Sequence, residues 1–126
     1  MITADQLVLH AIGDYLLQSD WMATNKTKSA FAAAVHALVY SLPFLLLMPS
    51  PAAYGMIFGT HLIIDRFRLA RYVVWVKNWI GPNSPWSDCT ATGYPSDRPA
   101  WLTVWLMIIA DNILHVLING AALRWL

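Results

Sequence analysis

Long apolar segments constrain this chain more than any other feature of its sequence. Four of them are close to the length that a helix needs to cross a hydrocarbon core of ~30 Å at about 1.5 Å per residue. They cover residues 2–18, 30–48, 52–70 and 101–123. The pattern predicts an all-α integral membrane bundle of four transmembrane helices, in a single domain of residues 1–126.

The scarcity of charge agrees with this prediction. Only 12% of the residues are charged and 58% are hydrophobic, whereas a soluble domain carries about 25% charged residues. The net charge of +1 gives no basic field, so we expect no nucleic-acid partner. Cys89 is the single cysteine, which excludes an internal disulfide and a multi-cysteine zinc site.

The distribution of Lys and Arg predicts the orientation. With four spans, all of these residues except Arg124 fall on one side, and the positive-inside rule makes that side cytoplasmic. Both termini are then outside the cytoplasm of a bacterial inner membrane, and residues 71–100 form a cytoplasmic loop. Tyr72, Trp75 and Trp79 alternate with basic residues after the third span, which predicts a helix lying in the membrane interface.

Histidine and aspartate interrupt the apolar segments in a recurring pattern. Three histidines have an aspartate four residues away, a spacing that places both side chains on one helical face. These pairs are His10 with Asp14, His61 with Asp65, and His115 with Asp111. An ionised residue inside a membrane costs about 2.5–3.5 kcal/mol, so we expect these groups to converge in the bundle interior.

Two arrangements would satisfy the converging groups. In one, carboxylates hydrogen-bond imidazoles; in the other, a divalent metal takes both, with zinc first and iron or manganese as alternatives. The candidate metal ligands are His10, Asp14, His36, His61, Asp65, Asp111 and His115. The candidate supporting or substrate-contacting residues are Gln18, Lys26, Arg66 and Asn112.

Three functions remain open from the residues. The first is a metal-dependent hydrolase acting on a lipid- or phosphate-containing substrate, with Asp14 or Asp65 as general base and Arg66 or Lys26 receiving an anionic group. The second is an ion or proton relay or transport module, which would need a homo-oligomer. The third is an interaction protein, such as a phage factor acting on a host membrane protein, in which the polar groups lock the packing. Catalysis itself is left open.

The combination of motifs resembles an uncharacterised family of small bacterial and phage integral membrane proteins. The pattern comprises, in order, His10-x2-Gly13-Asp14-Tyr15-x-Leu17-Gln18, Asn25-Lys26, His36, His61-x3-Asp65 and Asp111-Asn112-x2-His115. Asn112 stands where that family has Gln, which keeps an amide. The resemblance covers nearly the whole chain and implies an integral membrane protein but no particular activity. A weaker similarity, through the H-x3-D pairs, is to a family of membrane-bound metal-dependent hydrolases, whose additional His-Arg motif this chain lacks.

Overall fold

Every regular element between residues 2 and 126, the part of the chain that the computed structural model describes, is a helix. The α-helices are α1 (Ala4–Ala11), α2 (Asp20–Asn25), α3 (Ala30–Ser41), α4 (Pro51–Phe67), α5 (Ala70–Lys77), α6 (Trp86–Cys89) and α7 (Ala100–Trp125). A π-helix (Ile12–Leu16) follows α1, and 3-10 helices (Leu42–Leu47 and Asn78–Ile80) follow α3 and α5. The all-α prediction is confirmed.

The chain divides into two compact units. The first contains the residues up to Phe67 together with His115–Leu126, and the second is Arg68–Leu114. The long helix α7 contributes its C-terminal part to the first unit and its N-terminal part to the second.

In the first unit, α1 begins at a capped terminus and ends in a wider, π-helical turn. The hydroxyl of Thr3 accepts a hydrogen bond from the backbone N–H of Gln6, which satisfies one of the free donors at the helix start. Gly13, in the π-helix, lies directly against Tyr40 of α3: a Cβ atom there would be 2.7 Å from the ring and 2.8 Å from the backbone oxygen. Glycine is therefore required for this close approach, which also brings Asp14 towards α3.

Helices α2 and α3 each begin at a serine cap. The Ser19 hydroxyl accepts from the Met22 N–H, and the Ser29 hydroxyl accepts from the Ala32 N–H. The buried face of α3 combines small residues with His36 and Tyr40, and small side chains let helices approach closely. The helical path continues to Leu47 and ends at Met48 in a left-handed conformation (φ 50°).

Helix α4 starts with Pro51, a residue suited to the first turn of a helix. Its buried residues recur every three or four positions and so form one face, which packs along α3. They are Ala53, Ile57, His61, Ile64 and Asp65. The face is apolar near the start of α4, and nearer its end it carries His61 and Asp65, whose spacing of four places them one turn apart.

The first unit has an unusual distribution of polarity. Its buried side chains include Gln6, His10, Asp14, His36, His61, Asp65, His115 and Asn119. Many large apolar side chains on the same helices are exposed, among them Leu16, Leu38, Leu46 and Ile63. A buried apolar cluster of Leu9, Tyr40, Phe44, Ala53, Ile57 and Ala122 lies beside the polar groups.

The second unit folds the segment after α4 into helices and ordered turns. Arg68 takes a left-handed conformation (φ 53°) between α4 and α5. Helix α5 is the helix that was predicted after the third apolar segment. The predicted loop of residues 71–100 also contains the short helix α6. Gly93 (φ 84°) packs so closely on α5 that a Cβ atom would lie 2.2 Å from the Arg71 backbone oxygen.

Burial raises the pKa of the Cys89 thiol, with Asp88 adding to the effect, so this cysteine is not an activated thiol.

Two helical segments are long and apolar enough to cross a membrane, judged by length and composition. They are Ala30–Leu47 and Ala100–Trp125. Helix α4 has 17 residues and α1 has 8, so the other two predicted spans correspond to shorter helices.

Candidate metal centre

Four of the predicted ligands meet at one point in the first unit. Asp14 comes from the π-helix, His36 from α3, and His61 and Asp65 from α4. One potential ligand atom from each lies within 4.8 Å of the others, and all four residues are buried. Positions that are up to 51 residues apart in the chain thus contribute to a single cluster.

The imidazoles of His36 and His61 face each other through their Nε2 atoms. The Nε2 atoms of His36 and His61 are 2.9 Å apart. The Oδ1 atom of Asp14 lies 3.3 Å from the first nitrogen and 3.4 Å from the second. The Oδ2 atom of Asp65 lies 3.0 Å and 3.3 Å from them. These four atoms form a compact polyhedron of two nitrogens and two carboxylate oxygens.

The size of this polyhedron fits a small divalent ion. Ligands at about 2.0–2.1 Å from a tetrahedral zinc are separated from one another by about 3.3–3.4 Å. Neighbouring ligands of an octahedral ion at about 2.1 Å are separated by about 3.0 Å. Five of the six distances among these atoms, all except that between the two carboxylate oxygens, range from 2.9 to 3.4 Å. Imidazole nitrogen and carboxylate oxygen are also suitable donors for zinc, iron and manganese.

Hydrogen bonding among the side chains leaves the two imidazoles incompletely satisfied. Over residues 2–126, Nδ1 of His36 and Nδ1 of His61 are buried without a hydrogen-bond partner. Each neutral ring therefore keeps one unpaired nitrogen, at a cost of about 1–3 kcal/mol. A cation bound to both Nε2 atoms and to the two carboxylates would outweigh this cost through its bonds to the four ligands, although the Nδ1 atoms would stay unpaired.

His115, from the C-terminal part of α7, contacts the other oxygen of Asp65. Its Nε2 atom lies 3.2 Å from Oδ1 of Asp65. The centroid of its ring is 4.2 Å from the ring centroid of His61. The carboxylate of Asp65 is therefore held from both sides, with one oxygen facing the cluster and one facing His115. His115 either orients this ligand or extends the donor set.

His10 lies next to the four-residue cluster rather than within it. Its Nδ1 atom is 2.8 Å from the hydroxyl of Tyr40 and 3.7 Å from Oδ2 of Asp14. The ring of Tyr40 stacks on His61, with 3.5 Å between centroids and 9° between planes. The Asn119 amide donates to the same hydroxyl over 2.6 Å. Tyr40 thus joins His10, Asn119 and a cluster imidazole.

Tyr40 is the site residue that the sequence reasoning missed. It follows His36 at a spacing of four on α3, which is the same spacing that identified the His/Asp pairs. A search for any polar side chain at that spacing from a histidine would have found it.

Lys26, which directly follows α2, contacts two residues of the cluster. Its ammonium nitrogen lies 2.6 Å from Oδ2 of Asp65, 3.3 Å from Nε2 of His36 and 2.7 Å from Oε1 of Gln18. Two of the predicted supporting residues, Lys26 and Gln18, therefore contact each other at the site. Arg66, the third, donates instead to the backbone oxygen of Thr27 and so fixes the chain beside Lys26.

Asp111 and Asn112 belong to the second unit. Asp111 is half-buried, and the Asn112 amide donates to the Ile108 backbone oxygen one turn earlier in α7, over 2.6 Å. Their predicted roles as ligand and supporting residue stay predictions.

Comparison with known proteins gives one finding. No curated protein matches the chain, and no solved structure matches it. A family model described as "Protein of unknown function (DUF3307)" matches residues 2–119. This match agrees with the resemblance to an uncharacterised family, while the motif pattern and the hydrolase similarity stay predictions. Because the match covers nearly the whole chain, the protein belongs to the DUF3307 family.

Proposed function

We propose that this chain is an integral membrane protein that binds a divalent metal ion through Asp14, His36, His61 and Asp65. Zinc is the first candidate, with iron or manganese as alternatives. The observation that carries the proposal is the convergence of these four buried side chains, with neighbouring donor atoms 2.9–3.4 Å apart. That spacing matches the separation of ligands around a small divalent ion.

The distribution of polarity supports a membrane location for the whole bundle. Buried ionisable residues with exposed leucine and isoleucine on the same helices are what a protein needs when its solvent is hydrocarbon. The proposed spans are residues 2–18, 30–48, 52–70 and 101–123, in a bacterial inner membrane with both termini outside the cytoplasm. Membrane lipid is then the constant partner of the exposed apolar surface.

Hydrolysis of a lipid- or phosphate-containing substrate is the reaction that this site would suit. A bound divalent ion supplies Lewis acidity and lowers the pKa of water. The side chains of Asp14 and Lys26 are 11% and 20% exposed, whereas that of His36 is 0% exposed. Substrate would therefore approach past Asp14 and Lys26, where a carboxylate can take a proton and an ammonium can hold an anionic group.

A proton relay is the second candidate, and one observation favours it. Asn119, Tyr40, His10 and Asp14 follow one another at distances of 2.6, 2.8 and 3.7 Å, which extends polar contacts from α7 to the cluster. If the chain is a proton relay, protons should cross the membrane of liposomes that contain it, and Asp14→Asn should abolish this flux.

The deciding experiment is elemental analysis of the detergent-purified protein. We expect about one zinc, iron or manganese ion per chain, and loss of that ion in His36→Ala and Asp65→Ala. Asp5→Asn is the matched control, because Asp5 is exposed and outside the cluster. Folded wild-type protein that takes up no stoichiometric metal, even after addition of each ion, contradicts the proposal.

The hydrolase part has its own test. The metal-loaded protein is incubated in mixed micelles with a phosphate-bearing lipid, and released phosphate is measured. Asp14→Asn keeps an oxygen donor but removes the base, so we expect phosphate release to fall at least tenfold even at a metal concentration that restores full occupancy of the site. Equal release by wild type and Asp14→Asn contradicts the role of Asp14 as general base.

A further inference from the structure

The ammonium group of Lys26 occupies a position that a bound cation would contest. It lies 2.6 Å from Oδ2 of Asp65 and 3.3 Å from Nε2 of His36, and both atoms belong to the proposed ligand set. We infer that Lys26 is an internal competitor of the metal, which sets the affinity of the site and keeps metal binding reversible. This inference rests on the proposed metal-binding function.

The contested atom is the oxygen of Asp65 that faces the two imidazoles. Its Oδ2 atom is 3.0 Å from Nε2 of His36 and 3.3 Å from Nε2 of His61. An ion bound to this oxygen would lie about 2.1 Å from it. With Lys26 2.6 Å away on the same oxygen and an angle of about 120°, the two positive charges would be only ~4 Å apart. Repulsion at that distance is strong where water is scarce.

The balance of charge also indicates that Lys26 and a metal ion compete for the two carboxylates. Asp14 and Asp65 supply two negative charges, and Lys26 returns one positive charge to the cluster. A divalent ion matches two carboxylates without help, so the ammonium becomes surplus when the ion binds. Lys26 and the metal are therefore alternative counter-ions of the same carboxylates.

Of the side chains that contact Asp65, Lys26 is the one that can leave. Its side chain is 20% exposed, compared with 4% for Asp65 and 0% for His36. It follows α2, which has only six residues and no buried side chain, and its flexible stem lets the ammonium turn towards solvent. The ligands on α3 and α4 are held by helix packing. Metal binding should thus expel Lys26 and leave the ligands in place.

The opposite role would make Lys26 a supporting donor that orients Asp65 for the metal. The two roles differ in sign: removal of a competitor strengthens metal binding, whereas removal of a supporting donor weakens it by about 10–100-fold. The sign of one affinity change therefore separates them.

The first test measures the Kd of Zn²⁺ for the detergent-purified full chain, by competition with a chromophoric chelator at fixed pH and ionic strength. We expect Lys26→Met to lower the Kd at least tenfold and Lys26→Arg to leave it within about threefold. Lys28→Met is the matched control, since it removes the same charge from an exposed residue two positions away, and we expect less than a twofold change.

A second test uses the wild-type chain and so does not depend on the folding of a variant. An amine-acylating reagent is applied with and without Zn²⁺, and modification at each lysine is read by peptide mass spectrometry. We expect Zn²⁺ to increase modification of Lys26 at least threefold and to leave Lys28 unchanged. Lower or unchanged modification of Lys26 in zinc-loaded protein overturns the inference.

The outcomes distinguish the competitor role of Lys26 from the existence of the metal site. If the wild type binds Zn²⁺ and Lys26→Met binds it equally well or more weakly, the competitor role is wrong and the metal site stands. If neither the wild type nor any variant binds Zn²⁺, Mn²⁺ or Fe²⁺, the metal site is wrong and the competitor role is wrong with it.

Discussion

The Nε2 atoms of His36 and His61 lie 2.9 Å apart, although the two residues are on different helices. Two neutral imidazoles in this orientation can share one proton between these atoms, which satisfies one acceptor only. Both remaining Nδ1 atoms are buried without a partner in the part of the chain that the structure describes. A cation held jointly with Asp14 and Asp65 would bind the lone pairs of both Nε2 atoms at once, which a shared proton cannot do.

Metal binding should stabilise the fold, because an ion that binds only the native state adds RT ln(1 + [M]/Kd) to the free energy of unfolding. At a metal concentration 100 times the Kd this amounts to about 2.7 kcal/mol. We expect Zn²⁺ to raise the Tm of the wild type in detergent and to leave that of His36→Gln unchanged. An equal rise in both proteins would show that the stabilising ion binds elsewhere.

Gly13→Ala should destabilise the first unit. The new Cβ would lie 2.7 Å from the Tyr40 ring and 2.8 Å from its backbone oxygen, so helix and backbone must shift, at a cost of about 1–3 kcal/mol. Gly55→Ala is the control, because nothing lies within 4 Å of its added Cβ. Replacing that helical glycine should stabilise the chain by about 0.5–1 kcal/mol. Thermal unfolding in detergent measures both, and equal Tm values would contradict the close contact.

Tyr40→Phe should weaken the support of the site without emptying it. The change removes the hydroxyl that contacts His10 and accepts from the Asn119 amide, which leaves a buried donor unpaired and costs about 1–3 kcal/mol. The ring that stacks on His61 is kept, so metal affinity should fall less than tenfold. Paired Tm and Kd measurements test this, and a large loss of affinity with unchanged stability would assign the hydroxyl a direct role in binding.

The proposed topology predicts that both termini are outside the cytoplasm. Alkaline phosphatase fused after Leu126 should be active and a green fluorescent protein fused there should be dark. Fusions that end at Asn83, in the proposed cytoplasmic loop, should give the opposite result and serve as the control. Fluorescence at the C-terminus would mean that the four-span topology is wrong.

Features that depend on local periodicity can be predicted from the amino-acid sequence alone. The all-helical fold follows from the apolar segments, and the spacing of four places His61 and Asp65 one turn apart on α4. The cost of isolated charge in an apolar helix was enough to predict that histidines and aspartates from distant segments converge. These inferences need only the geometry of a single helix and the energetics of its surroundings.

The choice of groups that meet at the cluster, and the distances between them, depends on how the helices pack. Lys26 and Tyr40 take their places because a short capped helix and a close glycine contact set the separation of neighbouring segments. His10 lies one contact away from the cluster that Asp14 joins, although the same spacing pairs the two residues in sequence. Side-chain periodicity states which face of a helix a residue occupies, whereas packing between helices determines how far that face lies from the next.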